Sequence, residues 1–97
     1  NAFSPTDLVA SALCSCMTTV MGICAEKNNF KLPNSKSNVT KVMSSNPRRI
    51  SKIILEINFE KNNLSDQQKE KLIAVAKGCP VAQSLSKDLV QEVFYNF

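Results

Sequence analysis

The chain has 97 residues, enough for one domain, which we place at residues 1–97. Hydrophobic residues make up 43% and charged residues 21%, a composition typical of globular proteins rather than disordered or repetitive ones. The net charge of +4 comes from cations scattered between Lys27 and Lys87, without a dense basic stretch interleaved with aromatics, so we expect no nucleic-acid partner.

Four cysteines occur without any histidine. A chain this apolar, with long helical periodicity, differs from a small secreted scaffold held together by disulfides. We therefore expect reduced thiols and a cytoplasmic location. No basic segment precedes the apolar run as it would in a cleavable signal. Because the core of so short a chain is thin, we expect a second chain or a further segment to complete it.

The first predicted element is a long helix that begins at Ser4-Pro5-Thr6-Asp7. Ser4 is a suitable cap, Pro5 suits the first helical position, and Asp7 favours the positive helix end. Residues 8–25 carry no charge and reach the lower length limit of a membrane span. Serine, threonine and glycine interrupt the run, so the pattern predicts a buried central helix and no membrane span.

This helix divides into two arcs when its residues are placed at 100° intervals. Small residues form one arc, which lets another backbone approach closely and predicts cover on both sides. Apolar residues form the other arc, with Cys16 near its middle. The apolar arc comprises Leu8, Val9, Ala12, Leu13, Cys16, Val20, Ile23 and Cys24; the small-residue arc comprises Ser11, Ser15, Thr18 and Gly22.

Two strands are predicted after the helix, which ends at Asn28-Asn29. Residues 31–37 contain a proline and indicate a loop. Residues 39–43 alternate as a short strand, and Asn46-Pro47 marks a turn. Residues 53–59 give the clearest alternation in the chain, and thus the clearest strand.

Two helices and a closing strand follow. Ser65 and Gln68 form a capping box, and Gly78 ends the helix that they begin. Pro80 starts a short helix over residues 81–86. Residues 89–97 alternate as a last strand. The order predicts an α+β fold in which the long helix packs on an antiparallel sheet.

Cys79 lies between Gly78, which ends one helix, and Pro80, which begins another. The amides of a helix start favour a thiolate and lower its pKa, although a thiol that merely fills a turn is an equal alternative. Cys16 is either a small buried hydrophobe or a reactive thiol.

The other two cysteines have less distinctive positions. Cys14 and Cys16 are about 200° apart around the helix, so they cannot pair or bind one ion together. With no histidine available we expect no metal site. Cys24 is expected in the core.

The stretch from Pro5 to Cys16 resembles the central helix of the OsmC/Ohr family, whose reactive cysteine follows a run of small residues; here that position is Cys16. Gly78-Cys79-Pro80-Val81 is similar to the family's second reactive cysteine. Asn46-Pro47-Arg48-Arg49-Ile50 also resembles one branch of these proteins. The resemblance extends over essentially the whole chain.

The resemblance implies thiol-dependent reduction of organic hydroperoxides in a stress response, without a cofactor. Cys16 would attack the peroxide, Cys79 would resolve the sulfenic acid, and a dithiol of lipoyl type would be the reductant. An alternative on the same fold is a protein that binds a lipid or small molecule without peroxidase activity. The apolar substrate pocket would involve Val9, Ala12, Leu13 and Val20.

The family fold also implies an intertwined homodimer and an antiparallel sheet before the helix, which this sequence does not show. That sheet carries the family's activating arginine, held by an acidic residue next to the helix-starting proline. Thr6 occupies this place here, so Asp7 is the expected supporting carboxylate.

Overall fold

A computed structural model describes residues 4–97; Asn1 to Phe3 of the predicted domain lie outside the described residues. The fold is α+β, as predicted. In chain order its elements are α1 (Pro5–Lys27), β1 (Ser35–Ser44), β2 (Arg49–Phe59), α2 (Asp66–Lys77), α3 (Pro80–Ser84) and β3 (Val90–Asn96).

Helix α1 begins and ends on polar side chains that satisfy its free backbone groups. Ser4 Oγ accepts a hydrogen bond from the Asp7 N–H, and the Asp7 carboxylate accepts one from the Ser4 N–H, both at 3.3 Å. Pro5 occupies the first turn as predicted. At the other end Asn28 Nδ2 donates to the Cys24 carbonyl at 2.7 Å. These two caps fix the bounds of the helix.

The buried face of α1 differs from the predicted apolar arc. It consists of Ala10, Leu13, Met17, Met21, Cys24 and Ala25, and at 100° per residue it is rotated by about a third of a turn from the arc centred on Cys16. Leu8 and Ile23 are half exposed. A Cβ on Gly22 would have nothing within 4 Å, so no part of residues 4–97 packs closely against the small-residue arc at that position.

By length and composition α1 could also cross a membrane, with a mean hydropathy of 1.9 in its most apolar window. A core helix of a globular protein meets the same criteria. The six buried residues of α1 belong to one core together with residues of β2, α2 and α3. Helix α1 is therefore arranged as the central helix of this core.

The sheet is mixed, which corrects the predicted antiparallel sheet. β2 lies in the centre, pairing antiparallel with β1 and parallel with β3. Helices α2 and α3 connect β2 to β3, and a helical crossover of this length returns the chain so that the next strand runs in the same direction. β1 is also longer than predicted, since residues 35–37 of the expected loop pair with β2.

The core lies between the helices and one face of β2. Alternate residues of that strand, Ile53, Leu55 and Ile57, are fully buried, as the alternation predicted. Phe59 stacks on Phe97 with ring centroids 4.7 Å apart.

Helices α2 and α3 begin at the residues that the sequence predicted as their starts. Ser65 and Gln68 form a capping box at the start of α2, and Gly78 is its C-cap. Helix α3 starts at Pro80 as predicted and ends at Ser84, two residues earlier than expected.

Candidate functional site

Cys16 and Cys79 are far apart in the sequence but neighbours in the structure. Cys16 lies close enough to Cys79 to raise the pKa of its thiol. This proximity arises because α3 packs against α1. Both cysteines are free thiols, so the site is in its dithiol form.

Local backbone geometry fixes the position of Cys79. It is the N-cap of α3, with Pro80 in the first helical turn, and its Sγ accepts a hydrogen bond from the Ala82 N–H at 3.4 Å. The extended backbone of Cys79, with ψ of 149°, directs its thiol toward the free amides of the helix start. The sequence predicted this cap correctly.

The expected direction of the Cys79 pKa shift was wrong. Burial raises the pKa of Cys79, and the neighbouring Cys16 raises it further, while the Ala82 N–H opposes them by favouring the thiolate. Only 1% of Cys79 is exposed, so desolvation of the charged form outweighs the helix-start amides of Ala82 and Val81, which favour the thiolate.

Cys16 and Cys79 differ in their access to solvent. Cys16 is half-buried at the edge of the buried face of α1 and packs against the core. Cys79 is enclosed. Cys16 is therefore the more accessible residue of the two.

The other two thiols lie apart from this pair. Cys14 is half-buried on α1, and Cys24 is buried in the core with its Sγ 3.6 Å from Asn28 Nδ2. Among residues 4–97 no three side chains of metal-binding type are grouped as a metal site would require.

A groove of about 520 Å³ runs between α1 and α2. Of the four predicted pocket residues, Val20 lines this groove. Leu13 is fully buried in the core, whereas Val9 and Ala12 are exposed on α1. The groove is lined by Val20, Ile23, Cys24, Lys27, Asn28, Lys71, Val75 and Gly78, so it reaches the residue that precedes Cys79.

Asp7 binds a lysine that the sequence analysis did not identify. Lys41 Nζ of β1 forms an ion pair with Asp7 Oδ1 at 2.9 Å and also donates to the hydroxyls of Ser4 and Thr6. Lys41 and then Ser4 lower the pKa of Asp7. The alternation of β1 placed Lys41 among apolar neighbours but gave no sign of its partner.

Tyr95 is a second residue that the sequence analysis left without a role. Its hydroxyl is completely buried and has no hydrogen-bond partner among residues 4–97. Burial raises the pKa of Tyr95, and the charge of a Cys79 thiolate raises it further. The only signal in the sequence is that Tyr95 shares a strand face with Gln91 and Val93.

The chain is thus an α+β protein in which a long helix packs on a small mixed sheet, with one free thiol on that helix and another at a helix start. The sequence model described as OsmC-like protein matches residues 1–93, and the chain belongs to this family. No curated protein matches the chain.

Solved structures agree with this assignment. A Psychrobacter arcticus protein named for osmotic stress induction and detoxification is 40% identical, with a TM-score of 0.91 over 99% of this chain and 69% of its own. An OsmC-like protein from Mycoplasma pneumoniae is 23% identical (TM-score 0.81; 99% and 72% covered). The organic hydroperoxide resistance protein OhrB of Bacillus subtilis is 15% identical (TM-score 0.77; 99% and 72% covered), which shows the fold alone.

Proposed function

We propose that this protein reduces organic hydroperoxides with Cys16 as the attacking thiol and Cys79 as the resolving thiol. The observation that carries the proposal is the proximity of these two thiols, which come from α1 and from the start of α3, two helices that pack together. Membership of a family whose structures include organic hydroperoxide resistance proteins supports the same reaction class.

The proposed reaction has three steps. The Cys16 thiolate attacks the peroxide, forming a sulfenic acid and releasing the alkoxide, which takes up a proton to become an alcohol. The Cys79 sulfur displaces hydroxide from the Cys16 sulfur, giving a disulfide and water. An external dithiol of lipoyl type then reduces the disulfide by thiol exchange. No metal or organic cofactor takes part.

The difference in exposure between the thiols sets their order of action. A hydroperoxide reaches Cys16, which is half-buried, and its alkyl part extends along the groove past Val20. Cys79 is enclosed and meets oxidation only as the sulfenic acid next to it. Asp7 and Thr6 support the site by fixing the start of α1, and Lys41 holds them there.

Consumption of an alkyl hydroperoxide in the presence of dihydrolipoic acid tests this proposal. Cys16→Ser is expected to abolish consumption. Cys79→Ser is expected to stop turnover and to leave a Cys16 sulfenic acid that a dimedone reagent traps. Cys14→Ser is the matched control, because Cys14 is a half-buried thiol on the same helix two residues away. Unchanged turnover in Cys16→Ser would refute the proposal.

A second candidate function is binding of an apolar molecule, which the groove between α1 and α2 favours. In that case the variant lacking both Cys16 and Cys79 would still bind a long-chain alcohol in a calorimetric titration, and the parent protein would show no hydroperoxide turnover.

The proposal includes a cytoplasmic homodimer. Leu8 and Ile23 lie on one side of α1 and are 56% and 50% exposed, and a second chain packed there would remove this apolar surface from water. Sedimentation equilibrium tests the dimer: Ile23→Lys is expected to give a monomer, and a monomeric parent protein would contradict this part of the proposal.

A further inference from the structure

The Tyr95 hydroxyl is an exception to the rule that buried polar groups are hydrogen-bonded. It is completely enclosed and has no partner among residues 4–97. A buried polar group without a partner needs an explanation. One explanation is that the hydroxyl forms its hydrogen bond in a different state of the protein. The dithiol form described above is the resting state of the proposed cycle.

The surroundings of Tyr95 connect it to the thiol pair. A cavity of about 200 Å³ is lined by Met17, Lys77, Gln91, Val93 and Tyr95. Met17 follows Cys16 on α1, and Lys77 comes two residues before Cys79. Gln91 Nε2 donates to the Ala82 carbonyl at 3.1 Å, while the N–H of the same alanine donates to Cys79 Sγ. The cavity that Tyr95 lines is therefore bordered by residues one and two positions from the cysteines, and β3 is hydrogen-bonded to the helix start that holds Cys79.

A thiolate at Cys79 is poorly supported in the resting state. The Ala82 N–H donates to it at 3.4 Å and the Val81 N–H also favours the thiolate, but the sulfur is almost completely buried. The titratable or charged groups that act on Cys79 or line the cavity with Tyr95 are Cys16 from α1, Lys77 from the end of α2 and Tyr95 itself from β3. Tyr95 is the neutral oxygen donor in this set, and its hydroxyl has no partner among residues 4–97.

We infer that the Tyr95 ring moves toward the sulfur and that its hydroxyl donates a hydrogen bond to the Cys79 thiolate when that thiolate forms. In the proposed cycle the thiolate forms twice. It forms when Cys79 attacks the Cys16 sulfenic acid, and again when the external thiolate attacks the Cys16 sulfur of the disulfide and Cys79 leaves with the bonding electron pair. Tyr95 keeps its proton in both steps. The role of this hydrogen bond in the catalytic cycle rests on the proposed function. The hydrogen bond itself does not depend on that function.

The interaction is tested by titrating Cys79 in a variant in which the other three cysteines are serine. The carbon chemical shift of Cys79 Cβ, measured by NMR across the pH range, reports its ionisation. Tyr95→Phe is expected to move the midpoint to higher pH by about one pH unit, since a hydrogen bond to a charged group is lost. The control is Ser51→Ala, which removes a hydroxyl of β2 that donates to the Val42 carbonyl of β1. This variant is expected to leave the midpoint of the Cys79 titration unchanged. An unchanged midpoint in Tyr95→Phe would overturn the inference.

The reciprocal measurement uses the fact that Tyr95 is the only tyrosine of the chain. Its ring carbon signal gives the Tyr95 titration without other tyrosine signals. If the thiolate accepts from Tyr95, Cys79→Ala lowers the pKa of Tyr95; an unchanged pKa would count against the inference even if Tyr95→Phe failed to fold.

Kinetics then separate this inference from the proposed function. Formation of the Cys16–Cys79 disulfide at neutral pH is expected to slow about tenfold in Tyr95→Phe. If the protein reduces no hydroperoxide but both titrations respond, the tyrosine interaction stands and the proposed function fails. If turnover is normal and neither titration responds, the inference fails and the proposed function stands.

Discussion

Oxidation of Cys16 and Cys79 to a disulfide is expected to stabilise the fold by about 4 kcal/mol. The bond would close a loop of about 64 residues, and loop-closure entropy lost from the unfolded chain gives this value. For a domain of this size the melting temperature should rise by roughly 15–20 °C.

Thermal unfolding followed by circular dichroism measures this difference. The protein is treated with one equivalent of an organic hydroperoxide and compared with the reduced form, and peptide mapping identifies the bond. Cys14→Ser should show the same rise, whereas Cys16→Ser should show none. The reasoning is refuted if mapping finds the Cys16–Cys79 bond and the melting temperature does not rise, or if mapping finds a different pair.

Three further predictions concern pH and helix stability. Because the pKa of Cys79 is raised in the fold, its contribution to stability is present below the ordinary thiol pKa and is lost as pH rises through the raised value. Urea unfolding of the reduced protein should show this loss of stability at alkaline pH. The Cys79→Ala variant should not show it. The pKa of Asp7 is lowered, so its contribution is present above the ordinary carboxyl pKa and is lost as pH falls through the lowered value. Lys41→Met should raise the Asp7 pKa measured by NMR, and an unchanged value would show that the ion pair does not persist in solution. Gly22→Ala should raise the free energy of unfolding by about 1 kcal/mol, because an added Cβ meets open space inside a helix; a decrease measured in urea would indicate that a second chain packs there.

Elements defined by short-range signals could be predicted from the sequence. The two capping boxes at Ser4 and Ser65, and the Gly78-Cys79-Pro80 break, involve residues within three positions of each other, so the sequence contains the complete interaction. The alternation of residues 53–59 likewise determines which side of β2 is buried.

The direction of β3 could not be predicted in the same way. Alternation shows that residues 90–96 form a strand, but the same pattern suits a parallel or an antiparallel partner. The direction is set by the path of α2 and α3 between β2 and β3, which depends on how those helices pack on α1.

The buried face of α1 was placed wrongly for a related reason. With no charge between Leu8 and Ala25, apolar residues occur on most sides of the helix, so periodicity alone selects no face. Met17 and Met21 are the centre of the buried face because α2 and the sheet pack there. Cys16 consequently lies at its edge, where one side of the thiol remains accessible.

The position of Cys16 at this edge and the burial of Cys79 act together in the proposed mechanism. The nucleophile toward a peroxide is the thiolate, and the raised pKa of Cys79 keeps it protonated near neutral pH. In this mechanism Cys79 therefore does not compete with Cys16 for the hydroperoxide and is not overoxidised before Cys16 has reacted. The same property would make Cys79 a slow resolving thiol unless its anion is stabilised at the moment of attack. The amides of Val81 and Ala82 favour that anion, and the hydroxyl of Tyr95, which has no partner among residues 4–97, is the further donor that we infer for it.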